Sequence, residues 1–553
     1  MSSRKICPEC NQEYVNFYGW CKPCYSKHFQ NDFNNWTSGN DKIDKFIQDA
    51  QLNANYHLEL IEWIPYDKFK DVKQIGKGGF GTIHYARWID GVIRTWDNEN
   101  QQWKRDREYC EEVALKKFDN FVNLNDVLNE MAIHLKTHNK VATIQFYGIT
   151  QDPETHSYMM VLEYAKDGNL REYLKNNFNN MNWKQKLFNI WSLSTRLLNI
   201  HALDIIHQDF HPGNILSHNF DNNYLQISDY GLSKLIGANP NNPEKKNIFG
   251  VLPYIAPEVI SGDEEYTKAA DVYSFGIIAY EMVTGFLPYP DIPHDKDLAM
   301  KICNGLRPKI PFHIPKLITR IIMRCWDARV TYRPTFKELD EELRKYLYYY
   351  ESYLDEGKNK DSEIVIQIKK ADEFSAKQES TNTTTTTTPL NYQTHPQAIY
   401  TSRLLNFSKL PKPKNDENFE RDLEELTESM SLVKKISAET FGEKEYIYTS
   451  TQSVKEEFNV SLKNPFKLST ESFVDDLYQK IKNPCVISII SPDKDLSEEL
   501  TKYNFTWPEG MCSTVVANNK ENIDILTAFL EAKIMIWVIL QRKPASKNYK
   551  VGI

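Results

Sequence analysis

Apolar positions divide this chain into a densely patterned middle and two sparser flanks. From Phe69 the pattern is strand-like: Val72-Lys73-Gln74-Ile75 leads into a glycine-rich turn, and Thr82 to Arg87 resumes as a second strand. Val113-Ala114-Leu115-Lys116 reads as another strand, and Tyr158 to Tyr164 as an apolar one. Asn125 to His138 puts Val127, Leu128, Met131, Ala132 and Leu135 on one helical stripe. Trp183 to His201 is a long amphipathic helix, and an apolar helix runs from Asp271 to Val283. Thr335-x-x-Glu338 is a capping box that starts a last helix, extended from Leu343 to Leu354 by a tyrosine-rich run.

The flanks carry less pattern. Asp44 to Leu52 is predicted as a short amphipathic helix through Phe46, Ile47 and Leu52. Glu356 to Ser408 is polar, contains a threonine run from Thr383 to Thr388, and reads as linker. Phe419 to Ile436 is predicted helical. Beyond Phe473, Val486 to Ile490 and Ile534 to Leu540 are strand candidates and Ile523 to Ala532 a helix, which fits a small α/β domain acting as an interaction module.

Composition narrows the classes. A chain of 553 residues exceeds one ordinary domain, and a formal net charge of −8 argues against a broad nucleic-acid surface. Met1-Ser2-Ser3-Arg4-Lys5 leads into a cysteine pair rather than an apolar run, and Ile534 to Leu540 falls far short of a membrane span. The expectation is a soluble cytoplasmic protein without a membrane span. Cys7-x-x-Cys10 and Cys21-x-x-Cys24 are four of nine cysteines, an odd number that argues against a secreted disulfide framework. Two such turns can aim four thiolates at one ion, which suits structural Zn²⁺ with no open catalytic position. The segment is too short to build its own core, so metal binding and folding are expected to be coupled. His28 is read as a spare solvated histidine.

The middle region carries phosphoryl-transfer chemistry in order. Gly76-x-Gly78-x-x-Gly81 joins two strands rather than opening a helix, which separates it from a dinucleotide-binding turn. Lys116 follows on a strand, and Glu130 is the only glutamate of the next helix. His207-Gln208-Asp209-Phe210-His211-Pro212-Gly213-Asn214 then precedes Asp229-Tyr230-Gly231, and Ala256-Pro257-Glu258 and Arg333-Pro334-Thr335-Phe336 follow. This set resembles the eukaryotic protein kinases over about Tyr66 to Tyr346, most like the tyrosine-kinase-like group and its large fungal expansions. The resemblance implies an α+β fold of two lobes, a sheet with one helix above a mainly helical lobe.

It also implies roles. Asp209 would accept the hydroxyl proton, Asn214 and Asp229 would hold Mg²⁺, and Lys116, paired with Glu130, would contact the ATP phosphates. Ile75, Gly76, Gly78, Gly81, Ile83 and Ala114 would line the ATP site, with Leu162 at the gatekeeper position and main-chain bonds from Glu163 and Ala165. Glu258 would pair with Arg333, and Asp271 would hold the catalytic loop from below. The expected organisation is a zinc-binding segment (1–30), a connector (31–65), the kinase domain (66–350), a disordered low-complexity linker (351–470) and a small α/β domain (471–553).

Three features depart from the pattern. Gln208 replaces the arginine that normally pairs with a phosphate on the activation loop, and no Ser, Thr or Tyr lies between Lys234 and Pro253 to carry one. Tyr230 adds a hydroxyl that wants a partner if buried. His211 stands where Ser/Thr kinases carry a lysine that steadies the γ-phosphate, with nothing evident to compensate. The expected function is a protein kinase acting on Ser/Thr, or else Tyr, hydroxyls of protein substrates, and the alternative is a nucleotide-binding pseudokinase scaffold. About thirty residues separate the glycine turn from Val113. Within them, 90–107 reads as an extended hairpin tip whose tryptophans suggest packing or a partner protein.

Overall fold

The structure, a computed structural model, describes residues 6–14, 19–78, 81–106, 112–118, 124–138, 143–220, 225–231, 234–235, 248–380, 394–407 and 409–426, and five short strands between 485 and 552. Residues 1–434 form one unit and 435–553 another.

In the first unit α1 (Lys22–Asp32) and α2 (Asp41–Asn53) precede β1 (Glu62–Trp63), β2 (Phe69–Gly78) and β3 (Gly81–Trp88). A hairpin of β4 (Val92–Asp97) and β5 (Gln102–Asp106) is inserted before β6 (Glu112–Phe118). Then come α3 (Leu124–His138), β7 (Phe146–Gln151) and β8 (Tyr158–Glu163). The sheet order is β1-β7-β8-β6-β3-β2, antiparallel except where β1 adds in parallel to the β7 edge. β2 ends at Gly78 and β3 opens at Gly81, and the two glycines pair with each other. A Cβ on Gly81 would stand 2.0 Å from the Lys117 carbonyl oxygen, so only glycine lets β3 approach β6 there.

The helical lobe follows: α4 (Leu170–Asn177), α5 (Trp183–His201), the short strands β9 (Ile205–Ile206), β10 (Ile215–Ser217), β11 (Leu225–Ile227), β12 (Lys234–Leu235) and β13 (Ile248–Gly250), then α6 (Pro257–Ser261), α7 (Lys268–Thr284), α8 (Lys296–Cys303), α9 (Lys316–Cys325) and α10 (Phe336–Glu356). The lobe packs around α7, buried from Ala270 to Thr284, and the capping box at Thr335 and Glu338 starts α10. Glu258 and Arg333 form the expected buried pair, with two bonds of 2.7 Å.

Three flank expectations change. First, the stretch read as linker contains α11 (Glu363–Ser380), which buries Ile364, Val365, Ile368 and Ala371 against the lobe. It also contains β14 (Arg403–Leu405), which pairs antiparallel with β13. Four apolar side chains on one helical face suffice to dock a segment whose mean composition is polar. The predicted helix from Phe419 is present over 419–426, and the rest of it lies outside the described residues.

Second, the hairpin tryptophans follow the packing alternative, and the reading of His28 changes with them. Trp103 stacks on Phe29 at 4.3 Å and meets Tyr25 edge-on at 5.5 Å, while Trp96 stacks on His28 at 3.9 Å. His28 is therefore held between Trp96 and Glu9, 2.8 Å away, rather than solvated.

Third, α2 starts earlier than its polarity suggested and buries Ile43, Ile47 and Ala50 rather than Phe46 and Leu52. Its last carbonyls have no partner within the helix and are met by the cysteine module: Ser26 Oγ bonds the Leu52 carbonyl, Lys22 Nζ that of Asn53 and Trp20 Nε1 that of Ala54.

In the second unit β15 (Cys485–Val486) pairs with β17 (Phe529–Leu530), and β19 (Asn548–Gly552) pairs with both β16 (Ser488–Ile490) and β18 (Trp537–Gln541). Phe529–Leu530 is strand where a helix over Ile523 to Ala532 was expected. A short apolar run cannot be assigned by periodicity alone.

Candidate active site

Two strained turns build the centre of the cleft between sheet and helical lobe. Gln208 and Asp229 have φ of 69° and 64°, the left-handed region that non-glycine residues avoid. Asp271 on α7 fastens the first turn, because its carboxylate accepts the His207 and Gln208 main-chain N–H at 2.9 and 3.2 Å and the His201 ring at 2.9 Å. The Asn214 carbonyl accepts the Ser228 N–H at 2.9 Å, which ties the catalytic loop to the strand that delivers Asp229.

On the sheet side, Lys116 from β6 donates to Glu130 of α3 and, at 2.9 Å, to Asp229 Oδ1. Burial works against the lysine's charge, but the Asp229 and Glu130 carboxylates outweigh it and hold its pKa above the ordinary value. Burial pushes Glu130 up, whereas for Asp229 the lysine overcomes burial and lowers the pKa. Four rings connect this side to the loop. Phe146 lies 6.3 Å from His134, which meets Tyr230 edge-on at 5.0 Å, and Tyr230 lies 5.0 Å from His207. Burial depresses His134 to about 3, so its ring is neutral. Tyr230 is fully buried, and among the described residues its hydroxyl has no hydrogen-bond partner.

Leu162 is buried at the end of β8. Of the main-chain groups offered by the sequence, the Glu163 N–H is already given to the Gln145 carbonyl at 2.9 Å, and the Ala165 carbonyl accepts from Gly168 at 3.0 Å. Gly76 pairs with Ile83 and Gly78 with Gly81 at the paired ends of β2 and β3, while residues 79–80 and most of the activation loop, 236–247, lie outside the described residues.

The hydroxyl side holds what sequence reasoning missed. Ser402 Oγ donates to Asp209 Oδ2. The Gly213 N–H donates to His211 Nδ1 at 3.0 Å, so the ring proton sits on Nε2. That nitrogen lies 3.1 Å from Ser402 Oγ and 3.6 Å from Asp209 Oδ1. His211, the departure without evident compensation, therefore points an N–H at the hydroxyl that meets Asp209. The signal for Ser402 was weak: a hydroxyl beside a three-residue strand, Arg403-Leu404-Leu405, inside a polar stretch.

Both cation sites can be tested against the donors present. Asn214 gives its amide N–H to the Asp209 carbonyl at 2.9 Å, which turns its amide oxygen toward other partners. With Asp229 it makes a hard oxygen set suited to Mg²⁺. The sulfurs of Cys7, Cys10, Cys21 and Cys24 all lie within 4.8 Å of one another, with pairs at 3.9 and 3.5 Å. Tetrahedral zinc with bonds of about 2.3 Å needs sulfurs about 3.8 Å apart.

Comparison with known proteins agrees with this geometry. Residues 69–343 match the protein tyrosine and serine/threonine kinase family. The tyrosine-protein kinase SPK-1 of Girardia tigrina is 29% identical over 297 residues, 52% of this chain and 54% of its own length. The probable serine/threonine-protein kinase pats1 of Dictyostelium discoideum is 27% identical over 288 residues, 51% of this chain and 8% of its own. The mouse serine/threonine-protein kinase TNNI3K is 26% identical over 310 residues, 56% and 34%. The chain thus spans about half or less of the length of these relatives. Among the described residues no helix is long and apolar enough to cross a membrane. The chain carries a protein kinase domain, homologous to both tyrosine and serine/threonine kinases.

Proposed function

We propose that this domain is an active protein serine/threonine kinase that transfers the γ-phosphoryl group of ATP, with the four cysteines holding a structural zinc. The observation that carries the reading is Lys116 bonded to both Glu130 and Asp229 in the same cleft where Asp209 receives a hydroxyl. Lys116 would orient the phosphates, Asn214 and Asp229 would hold Mg²⁺, and the Ala165 N–H is the hinge donor for adenine. Mg²⁺ held there would neutralise the charge of the ATP phosphates. Asp209 accepts the hydroxyl proton as the acceptor oxygen attacks, and the His211 Nε2–H orients that oxygen from its other side. The preference for serine or threonine rests on reach, since a short side chain brings its oxygen to Asp209 from a main chain paired to β13.

Radiolabelled ATP with serine/threonine and tyrosine peptide libraries tests this. Wild type should label the former, and Asp209→Asn and Lys116→Met should lose transfer by orders of magnitude. Equal labelling by wild type and Asp209→Asn would return the chain to a nucleotide-binding scaffold.

A further inference from the structure

Residues 394–426 lie along the helical lobe, and their main chain does much of the binding. The His395 N–H meets the Pro290 carbonyl at 2.7 Å, and the His294 N–H meets the Gln397 carbonyl at 2.9 Å. Arg171 Nη1 holds the Tyr400 carbonyl at 2.6 Å, and Arg403 bonds the His294 carbonyl. After Ser402, Arg403–Leu405 pairs with Ile248–Gly250, the last strand before the Ala256-Pro257-Glu258 helix. Leu405 and Phe419 are buried. Farther on, Asn415 accepts the Ala328 N–H at 2.7 Å and donates to Asp327 at 2.8 Å. The lobe is shaped for this path: a Cβ at Gly305 would stand 2.5 Å from the Asp416 nitrogen. Among the described residues Ser402 is thus the one hydroxyl that an extended peptide, anchored on both sides, delivers to Asp209.

We propose that Ser402 is a modification site of the chain's own cleft, an intramolecular substrate that blocks added substrates until it is phosphorylated. The proposal rests on the kinase reading above. In the step, Ser402 Oγ bonds to the γ-phosphorus of ATP, the bond from that phosphorus to the bridging oxygen breaks, and ADP leaves. The hydroxyl proton passes to Asp209 and from there to solvent, which restores the carboxylate. The product places a dianion against the Asp209 carboxylate, and like-charge repulsion expels the tail and opens the groove. This gives a regulatory place to phosphate in a chain whose loop from Lys234 to Pro253 has no acceptor and whose Gln208 could not hold one. Because the tail is tethered, it competes at high effective concentration.

The test uses the full chain with Mg-ATP, read by mass spectrometry, beside an added serine peptide. Phosphate should appear at Ser402 at a rate per molecule that does not change on dilution, be absent in Ser402→Ala, and precede a rise in peptide turnover. Leu405→Asp, which removes the buried anchor nearest Ser402, should lower KM for the added peptide on the order of tenfold with kcat little changed. A synthetic peptide spanning 396–407 should be phosphorylated by that variant, and it reports even if the substitution disturbs the tail in an unintended way. Peptide turnover with Ser402 unlabelled overturns the proposal and leaves the kinase reading standing. A Ser402 rate that scales with enzyme concentration overturns the intramolecular seat. No transfer to either acceptor overturns both readings.

Discussion

The two flanks of the kinase domain are attached by opposite physical means. The N-terminal flank is held by side chains: Trp20, Tyr25, Phe29, Trp96 and Trp103 form one aromatic cluster, joined to the sheet through Glu62 and Arg105. The C-terminal tail is held largely by main-chain bonds, with Leu405 and Phe419 as its buried anchors. Aromatic burial scales with area removed from water and is lost only when the whole cluster opens. A short strand with few fully buried side chains can leave at lower cost than a closed aromatic cluster while the rest stays folded. The first flank suits a permanent brace and the second a removable plug. The brace sits behind the lysine, since Ile43 and Ile47 of α2 share a core with Val127 and Met131 of α3, the helix that carries Glu130.

Metal removal should separate the flanks most strongly. Without zinc the cysteine module loses a contribution on the order of 10 kcal/mol, far more than so short a segment can replace. Chelation, or Cys7→Ser with Cys24→Ser, should release one metal per chain, shift tryptophan emission and expose 19–60 to protease. The Ser402 seat should keep its protection. If both flanks open together, the attachments are not independent.

Trp103→Ala is the next step down. Trp103 touches Phe29, Tyr25, Trp20 and Trp96, and losing it should cost roughly 2–3 kcal/mol, below a fully enclosed tryptophan because it is half-buried. Hydrogen exchange should rise across α1 and the β4–β5 hairpin and stay unchanged at 394–407. Unchanged exchange in α1 would show that the aromatic cluster is not what holds the flank.

What the sequence made legible follows the same division. Phosphoryl transfer confines residue types and order, so the strand with Lys116, the helix with Glu130 and the loop from Asp209 to Asn214 stood out, and the structure brings them to one cleft. The four cysteines were legible for the same reason, and their sulfurs converge. The tail was not, because main-chain pairing leaves almost no trace in side-chain identity: a strand of three residues has no readable period. The partner of Trp96 and Trp103 was hidden differently. Exposed aromatics in a hairpin announce a contact without saying with what, and here the contact is this chain's own first helix.

Leu405→Asp sharpens the comparison from the other side. It should raise exchange over 394–407 and over β13, its pairing partner, while the main melting transition falls only modestly, because the detached tail carries the new charge into water. A large fall in Tm would make the tail part of the core.

The last expected effect is a gain in stability that calibrates the others, because it touches neither flank. Tyr230 lies at the junction between Lys116 and the catalytic loop, and its hydroxyl is buried with no partner among the described residues. A buried donor that gave up water without a new bond costs about 1–3 kcal/mol, and removing it leaves the ring contacts with His134 and His207 in place. Tyr230→Phe should therefore stabilise the chain by about 1 kcal/mol, raising Tm by roughly 2–4 °C, with peptide turnover and both flanks' exchange unchanged. A lower Tm would mean that the hydroxyl is hydrogen-bonded in solution, which would make this tyrosine a polar link between the two sides of the cleft rather than a tolerated substitute for phenylalanine.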